Sequence, residues 1–463
     1  MAVWSEVNKS ILGKYFGRID AEFYRPINLF AINRVESVPH CNFGQLVKEG
    51  YRVVYGNTKI LKQEENNEKT CRFLQATNIS NDGMLIECDK VGHVSECDWN
   101  RYPKGRIKHG EILIEVKGQA EKVTIVPDDY PLRTLVSGSV YKASLKNDIL
   151  TPEYVYAFFQ SSTGKMLRDR TKTNTLISFV SKPELYSIPI PLFTKSDTIF
   201  ITDLIKSALR KNKLSQSLYT QAQELLEREL GLDKLVFDKP LSYEARLSEV
   251  VGNNRADAEC YQPMYLNLRT LVRNYKHGFS KLTDIAFSLP PNIDPGKFAN
   301  TEFEYVELSS INPSLGIIGK GTKLLGKEAP SRARRKLETG DILASAVVGS
   351  VDKAAIVDSS SNGKLASTGF FQFRPKQIKS EYLLILVRSK LITMQLQQEA
   401  TGGILSAVPD NRLHNVIIPT LPDDLQCEIS DLVYKSHKLF HKSQQLLEQA
   451  KQRVEELIEQ AVQ

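Results

Sequence analysis

The chain has 463 residues, 41% of them hydrophobic and 25% charged, and a formal net charge of +7. Length alone points to two or three domains, composition excludes a disordered protein, and no apolar run reaches the ~18 residues of a membrane span. Six scattered cysteines form no disulfide framework, the first twenty residues lack a signal-peptide pattern, and a cytoplasmic protein is expected.

In chain order, the first distinctive stretch is "RIDAEFYRP" (Arg18–Pro26), which returns as "RADAECYQP" (Arg255–Pro263). Its acids, Asp20 and Glu22 with Asp257 and Glu259, are poor phosphate ligands and are expected to cap and pack the first helix of each unit. "YRVVYGNTK" (Tyr51–Lys59) mixes aromatics, amide and cations around a glycine turn, which makes Arg52, Tyr55, Asn57 and Lys59 candidates for DNA contact. "FLQATNIS" (Phe73–Ser80) is answered by "YVELSSIN" (Tyr305–Asn312), both read as strand entries. The basic run "RYPKGRIKHG" (Arg101–Gly110) adds Lys104, Arg106 and Lys108.

"HGEILIEVKGQAEKVTIV" (His109–Val126) is answered by "TGDILASAVVGSVDKAAIV" (Thr339–Val357). Both carry Gly-acid-Ile-Leu and an acid-Lys pair. Lys117 joins the candidates, and Lys122 and Lys353 share a place that suits either DNA or a structural salt bridge. After the helical "PEYVYAFFQSSTGKMLRD", the polar stretch "RDRTKTNT" (Arg168–Thr175) offers Arg170, Lys172, Thr173 and Asn174. "LISFVSKPELYSIPIP" (Leu176–Pro191) then matches "ILSAVPDNRLHNVIIP" (Ile404–Pro419). In the second half, "SRARRK" (Ser331–Lys336) places Arg332, Arg334, Arg335 and Lys336 just before a predicted strand, suited to guanine edges or phosphates. "EATGG" (Glu399–Gly403) offers Thr401 beside glycines that admit a close phosphate.

Each half ends in an amphipathic helix. The first, about Thr198–Leu230, has Ile201, Leu204, Ile205, Ala208, Leu218, Ala222, Leu225 and Leu226 and stops at Gly231. The second, from Leu425, has Ile429, Leu432, Ser436, Leu439, Ser443, Leu446, Ala450, Leu457 and Ala461, with a polar interruption at Arg453. "SLYTQAQELLE" (Ser217–Glu227) and "KLFHKSQQLLE" (Lys438–Glu448) match within them. Five matches in one order establish an internal duplication. The predicted fold is α+β: residues 1–193 and 236–420 as two tandem copies of one domain, 194–235 and 421–463 as long helices. A seam of this kind cannot bury itself, so the helices are expected to pair as an antiparallel coiled coil in a pseudo-two-fold dumbbell, a rod of about 45–55 Å.

No catalytic chemistry is legible. The single Pro-Pro, in "SLPPNID" (Ser288–Asp294), lacks the Asn/Asp before and the aromatic after that an amino-methylating loop needs. "GIIGKGTK" (Gly316–Lys323) misses the phosphate-loop spacing and reads as a hairpin turn. Cys71, Cys88, His93 and Cys97 lack a CxxC pair and are read as packing residues, so no metal or other cofactor is expected.

The order of the motifs, "RIDAEFYRP"/"RADAECYQP", "APSRARRKLETGDIL" (Ala329–Leu343), "STGFFQFRP" (Ser367–Pro375) and "SIPIP"/"NVIIP" before each helix, resembles the specificity subunit of type I restriction–modification enzymes over essentially the whole chain. The resemblance implies a non-catalytic subunit in which two target-recognition domains each read half of a split duplex DNA site. The helices would set the spacing and dock two copies of an adenine-N6 methyltransferase subunit, with a restriction/translocase subunit joining outside. "RYPKGRIKHG" departs from its counterpart "PSRARRKLETG", so the two basic stretches need not play equal roles. The same module serving another methylation-based defence system, or a coiled-coil protein-binding scaffold without a DNA role, are the alternatives.

Overall fold

The structure is a computed structural model that describes residues 6–7, 12, 18–56, 58–62, 69–84, 86, 91–146, 149–173, 177–232, 235, 240–253, 255–402 and 406–462. The chain divides into two compact units, Met1–Lys213 with Phe440–Gln463, and Leu214–Leu439.

In the first unit the Gly110 turn, at φ +73°, feeds an antiparallel sheet in the order 47–51, 140–145, 112–115 and 123–125. A smaller sheet pairs 92–94 with 71–74 antiparallel and 71–74 with 134–136 parallel. Two helices follow, Pro152–Gln160 and Ser162–Thr171. The second unit repeats this order. Strands 286–288, 370–375, 342–345 and 354–356 form one sheet, extended by 317–318 and 311–312. Strands 322–325, 302–306, 365–367 and 333–336 form another, and the helices are Ser380–Arg388 and Lys390–Glu399. The predicted hairpin at Gly316–Lys323 is corrected. Ile317–Ile318 pairs in the first of these sheets and Thr322–Leu325 in the second, so the glycines join two sheets.

The buried acid at each sheet start is matched as well. Glu111 accepts from Lys142 Nζ at 2.8 Å, and Asp341 accepts from Gln372 Nε2 at 2.7 Å and Arg374 Nε at 2.8 Å. Buried carboxylates persist only with such partners.

The nine-residue signature closes each unit. Asp20 and Asp257 stand at the N-cap positions of short 3-10 turns but make no cap hydrogen bond, which corrects the capping expectation. Each carboxylate is instead gripped by the arginine two residues before it, at 2.6 Å for Arg18 Nη2 and 2.8 Å for Arg255 Nε. The same guanidinium donates to carbonyls at a helix C-terminus. Arg18 reaches Thr171 and Lys172 at 3.2 and 3.1 Å, and Arg255 reaches Gln398 and Ala400 at 2.6 and 2.9 Å. A cation there satisfies orphan acceptors and complements the helix dipole. Tyr24 and Tyr261 hydroxyls donate back to the carbonyls of Arg18 and Arg255, and Pro26 and Pro263 begin the next helix.

The long helices run from Lys195 to Leu230 and from Asp423 to Val462. The first ends at Gly231, φ +61°, the left-handed position expected of a C-terminal glycine. Its buried seam is Ile201, Ile205, Ala208, Asn212, Ser215, Tyr219, Ala222 and Leu226. Leu204, Leu218 and Leu225 are only half-buried, as are Leu432 and Leu439 of the second helix, and Ala461 is exposed. Small polar residues hold seam positions that a purely apolar reading assigns to leucine.

In the first unit Arg453 pairs with Asp197 at 2.7 Å, and Ser443 Oγ donates to the Ala208 carbonyl at 2.8 Å, so the two helices run antiparallel. In the second, Ser436 Oγ donates to the Ser215 carbonyl at 2.7 Å and His437 stacks on Tyr219. Hydroxyls reach the facing backbone because serine and alanine let the helices approach closely. Leu446, Leu447, Ala450, Val454, Leu457 and Ile458 join the core of the first unit. Among the described residues no helix is long and apolar enough to cross a membrane.

Two outcomes follow. Ile458→Ala, at a fully buried position, should lower the unfolding free energy of the first unit by about 2–5 kcal/mol in denaturant titration. The Arg18 and Arg255 forks hold Asp20 and Asp257 below the usual carboxylate range. A depressed carboxylate adds stability that is present at neutral pH and lost as pH falls through its folded value. The double variant Asp20→Asn, Asp257→Asn should therefore melt lower than the parent at pH 7 and converge with it in acid.

Candidate nucleic-acid interface

Where strand Val47–Tyr51 ends, the chain continues past the loops of the first unit's smaller sheet. Arg52 Nε donates to the Gly138 carbonyl at 2.7 Å, and the guanidinium lies 4.9 Å from the Phe179 ring. Tyr55 packs edge-on against Phe73 and Tyr102, with centroids at 5.0 and 4.7 Å, and its hydroxyl donates to the Val136 carbonyl. Burial, reinforced by Cys71, pushes that phenol far above the usual tyrosine range, so it stays neutral. Lys117 is exposed on the two-residue strand that pairs with Ser178–Phe179. Arg52, Tyr55 and Lys117 line one concavity of about 540 Å³ with Gln75 and Ser137–Ser139. Gln75 and the serine loop carry no cation and so do not stand out in the sequence. The alignment of "FLQATNIS" with "YVELSSIN" is the signal that could have found Gln75.

Beyond this cleft, Lys59 and Lys104 are exposed, and Lys104 lies 5.8 Å from the Tyr51 ring. Lys108 pairs at 2.6 Å with Glu49 on the surface, where such a pair is weak and exchangeable. Arg106 stacks 4.1 Å above Trp99 and donates to its carbonyl at 2.9 Å. In the second unit Arg332 and Lys336 are exposed, and so is Thr401, whose backbone pairs with Ala407.

Several expectations are corrected. "SRARRK" lies partly inside the strand Ala333–Lys336 rather than before it. Alternation turns successive side chains to opposite faces. Arg335 consequently points inward, 3% exposed, donating to the Leu289 carbonyl at 2.5 Å, with its basicity lowered by burial. Arg334 pairs with Asp294. Arg170 is buried too, its Nε donating to the Phe23 carbonyl at 3.1 Å and its guanidinium 3.7 Å over that ring. Both guanidinium groups are buried and bonded inside their own unit.

Lys122 spends its ammonium on the carbonyls of Ala76 and Ile79, at 3.0 and 2.7 Å, rather than on an acid. Half-buried Lys353 makes no such bond among the described residues, so the shared position does not carry a shared bonding pattern. Lys172 pairs with Asp169 at 2.7 Å, and Thr173 Oγ1 donates to the Phe179 carbonyl at 2.9 Å. Asn57, Asn174 and Cys88 lie outside the described residues.

No protein-family model matches the chain, and no curated protein sequence matches it. Solved structures similar to it over about nine-tenths of its length come from type I restriction–modification systems. The type I S subunit from M. genitalium has 11% identity and a TM-score of 0.42, with 91% of this chain and 95% of that one covered. The HsdS subunit from Thermoanaerobacter tengcongensis has 13% identity and a TM-score of 0.28, with 92% and 96% covered. A chain from a structure on complex assembly and conformational transition of a type I system has 12% identity and a TM-score of 0.30, with 92% and 98% covered.

Burial separates the arginines of the basic strand. Arg335→Ala should lower the melting temperature by about 2–6 °C, because a buried bonded cation is removed. The double variant Arg332→Ala, Lys336→Ala should leave melting unchanged and make duplex binding less salt-dependent, by about 0.9 in slope for each phosphate that is no longer neutralised. Calorimetry and salt-series binding check both.

Proposed function

We propose that this chain is a non-catalytic DNA-specificity subunit that reads a two-part duplex site and assembles methyltransferase subunits on it, two copies in all, with a restriction subunit able to join. One observation carries the reading: the chain builds the same module of two sheets and two helices twice and closes each copy with the same arginine fork. A module made twice in one chain suits a target in two parts.

The unspent cations of the first cleft favour DNA over a purely protein-binding scaffold. The Nη groups of Arg52 and the Lys117 ammonium make no hydrogen bond or ion pair among the described residues. Domain limits of 1–193 and 236–420, with 194–235 and 421–463 as connecting helices, belong to the same proposal, as does a cytoplasmic location. Chemistry would reside in the partner, and the chain's own part is to bind and position.

The purified chain should transfer no label from S-adenosylmethionine to duplex DNA. Co-purified from its native host with a methyltransferase, it should direct adenine methylation to a motif of two blocks separated by unspecified base pairs. Label transfer by the isolated chain, or a continuous motif, would contradict the reading.

A further inference from the structure

Because the module is duplicated, each polar residue lining the first unit's cleft has a corresponding position in the second unit. Gln75 and Glu307 each precede a short 3-10 turn. Each donates its backbone N–H to the side chain three residues on, Asn78 Oδ1 at 2.9 Å and Ser310 Oγ at 3.2 Å. Lys117 corresponds to Val347. The residues before them, Val116 and Ala346, donate to the carbonyls of Ser139 and Gly369 at 2.8 and 2.9 Å, and accept from the N–H of Val180 and Val408, both at 2.9 Å.

Arg52 corresponds to Pro290. Tyr51 and Leu289 before them face Lys142 and Gln372, the two residues that bond the buried acids Glu111 and Asp341. The scaffold is the same while the chemistry is opposite. Arg52, Gln75 and Lys117 present two cations and an amide, whereas Pro290, Glu307 and Val347 present one carboxylate between two apolar residues.

An exposed carboxylate repels phosphate, so Glu307 is unsuited to holding the DNA backbone. On a base edge in the major groove it accepts from an exocyclic amino group, and cytosine N4 is the edge that presents a donor alone. Lys117 and the unbonded Nη groups of Arg52 suit the reverse edge, guanine O6 and N7, which presents acceptors alone. Resting on the DNA-specificity reading above, we infer that these corresponding positions make the two half-sites chemically different. The first unit selects guanine through Arg52 and Lys117, and the second selects cytosine through Glu307.

The test uses the full chain and a duplex library with a randomised central segment, with bound fractions sequenced. The wild type should enrich a bipartite motif. Glu307→Gln should remove a cytosine preference of about tenfold at one position of one half and leave the other half intact. Lys117→Val should remove a guanine preference in the opposite half, and Lys117→Arg should retain it. Unchanged melting temperatures exclude misfolding as the cause.

If the wild type enriches a bipartite motif and neither variant alters a base preference, the inference is overturned while the function stands. A uniform loss across all sequences with a shallower salt slope for Lys117→Val would make this lysine a phosphate ligand and overturn the guanine assignment. No enrichment by the wild type would remove the functional reading itself.

Discussion

The core of the first unit is completed by the last two dozen residues of the chain. Ile201, Ile205 and Ala208 are buried against Leu446, Ala450, Val454 and Ile458, and the Ser443 hydroxyl bonds the Ala208 carbonyl of the facing helix. A leucine at Ser443 would hold the helices further apart and leave the Ala208 carbonyl without this donor. The module thus depends on a segment hundreds of residues away, which ties its stability to the completed chain. The second unit takes Leu214–Leu230 of the first long helix and Asp423–Leu439 of the second, so each unit draws on both.

The repeated signature serves this architecture. Its arginine binds an acid two residues away and the carbonyls that end a distant helix, while its tyrosine closes the local turn. Every polar position thereby has an intramolecular partner: Glu22 takes Arg25 at 2.6 Å and Glu259 takes Gln262 at 2.7 Å. The motif recurs because each copy must be closed in the same way. The surfaces that face outward are free to diverge, as Arg52 and Pro290 have done.

The duplication, the α+β class and both long helices were legible in the sequence, because repeats, turn glycines and apolar periodicity are local signals. The seam's membership was less so. Asn212, Ser215 and Tyr219 are buried through interactions that helical periodicity does not weigh, such as Asn212 Nδ2 donating to the Met84 carbonyl at 3.0 Å. The basic candidates divided for a related reason. Composition marks a cation but not its direction, and the alternation of a strand sent Arg335 inward while leaving Arg332 and Lys336 exposed. Arg170 likewise lies on a helix whose inner face meets Phe23. Lys117 is exposed on its two-residue strand and Arg52 follows the end of strand 47–51, so the ammonium and the Nη groups remain available while Arg52 Nε is bonded to Gly138.

Hydroxyl-radical footprinting of the full chain on a duplex carrying its selected site tests the central claim most directly. Two protected blocks separated by an accessible gap are expected from a module built twice that reads DNA twice. A single continuous block, or no protection where the chain is bound, would contradict it.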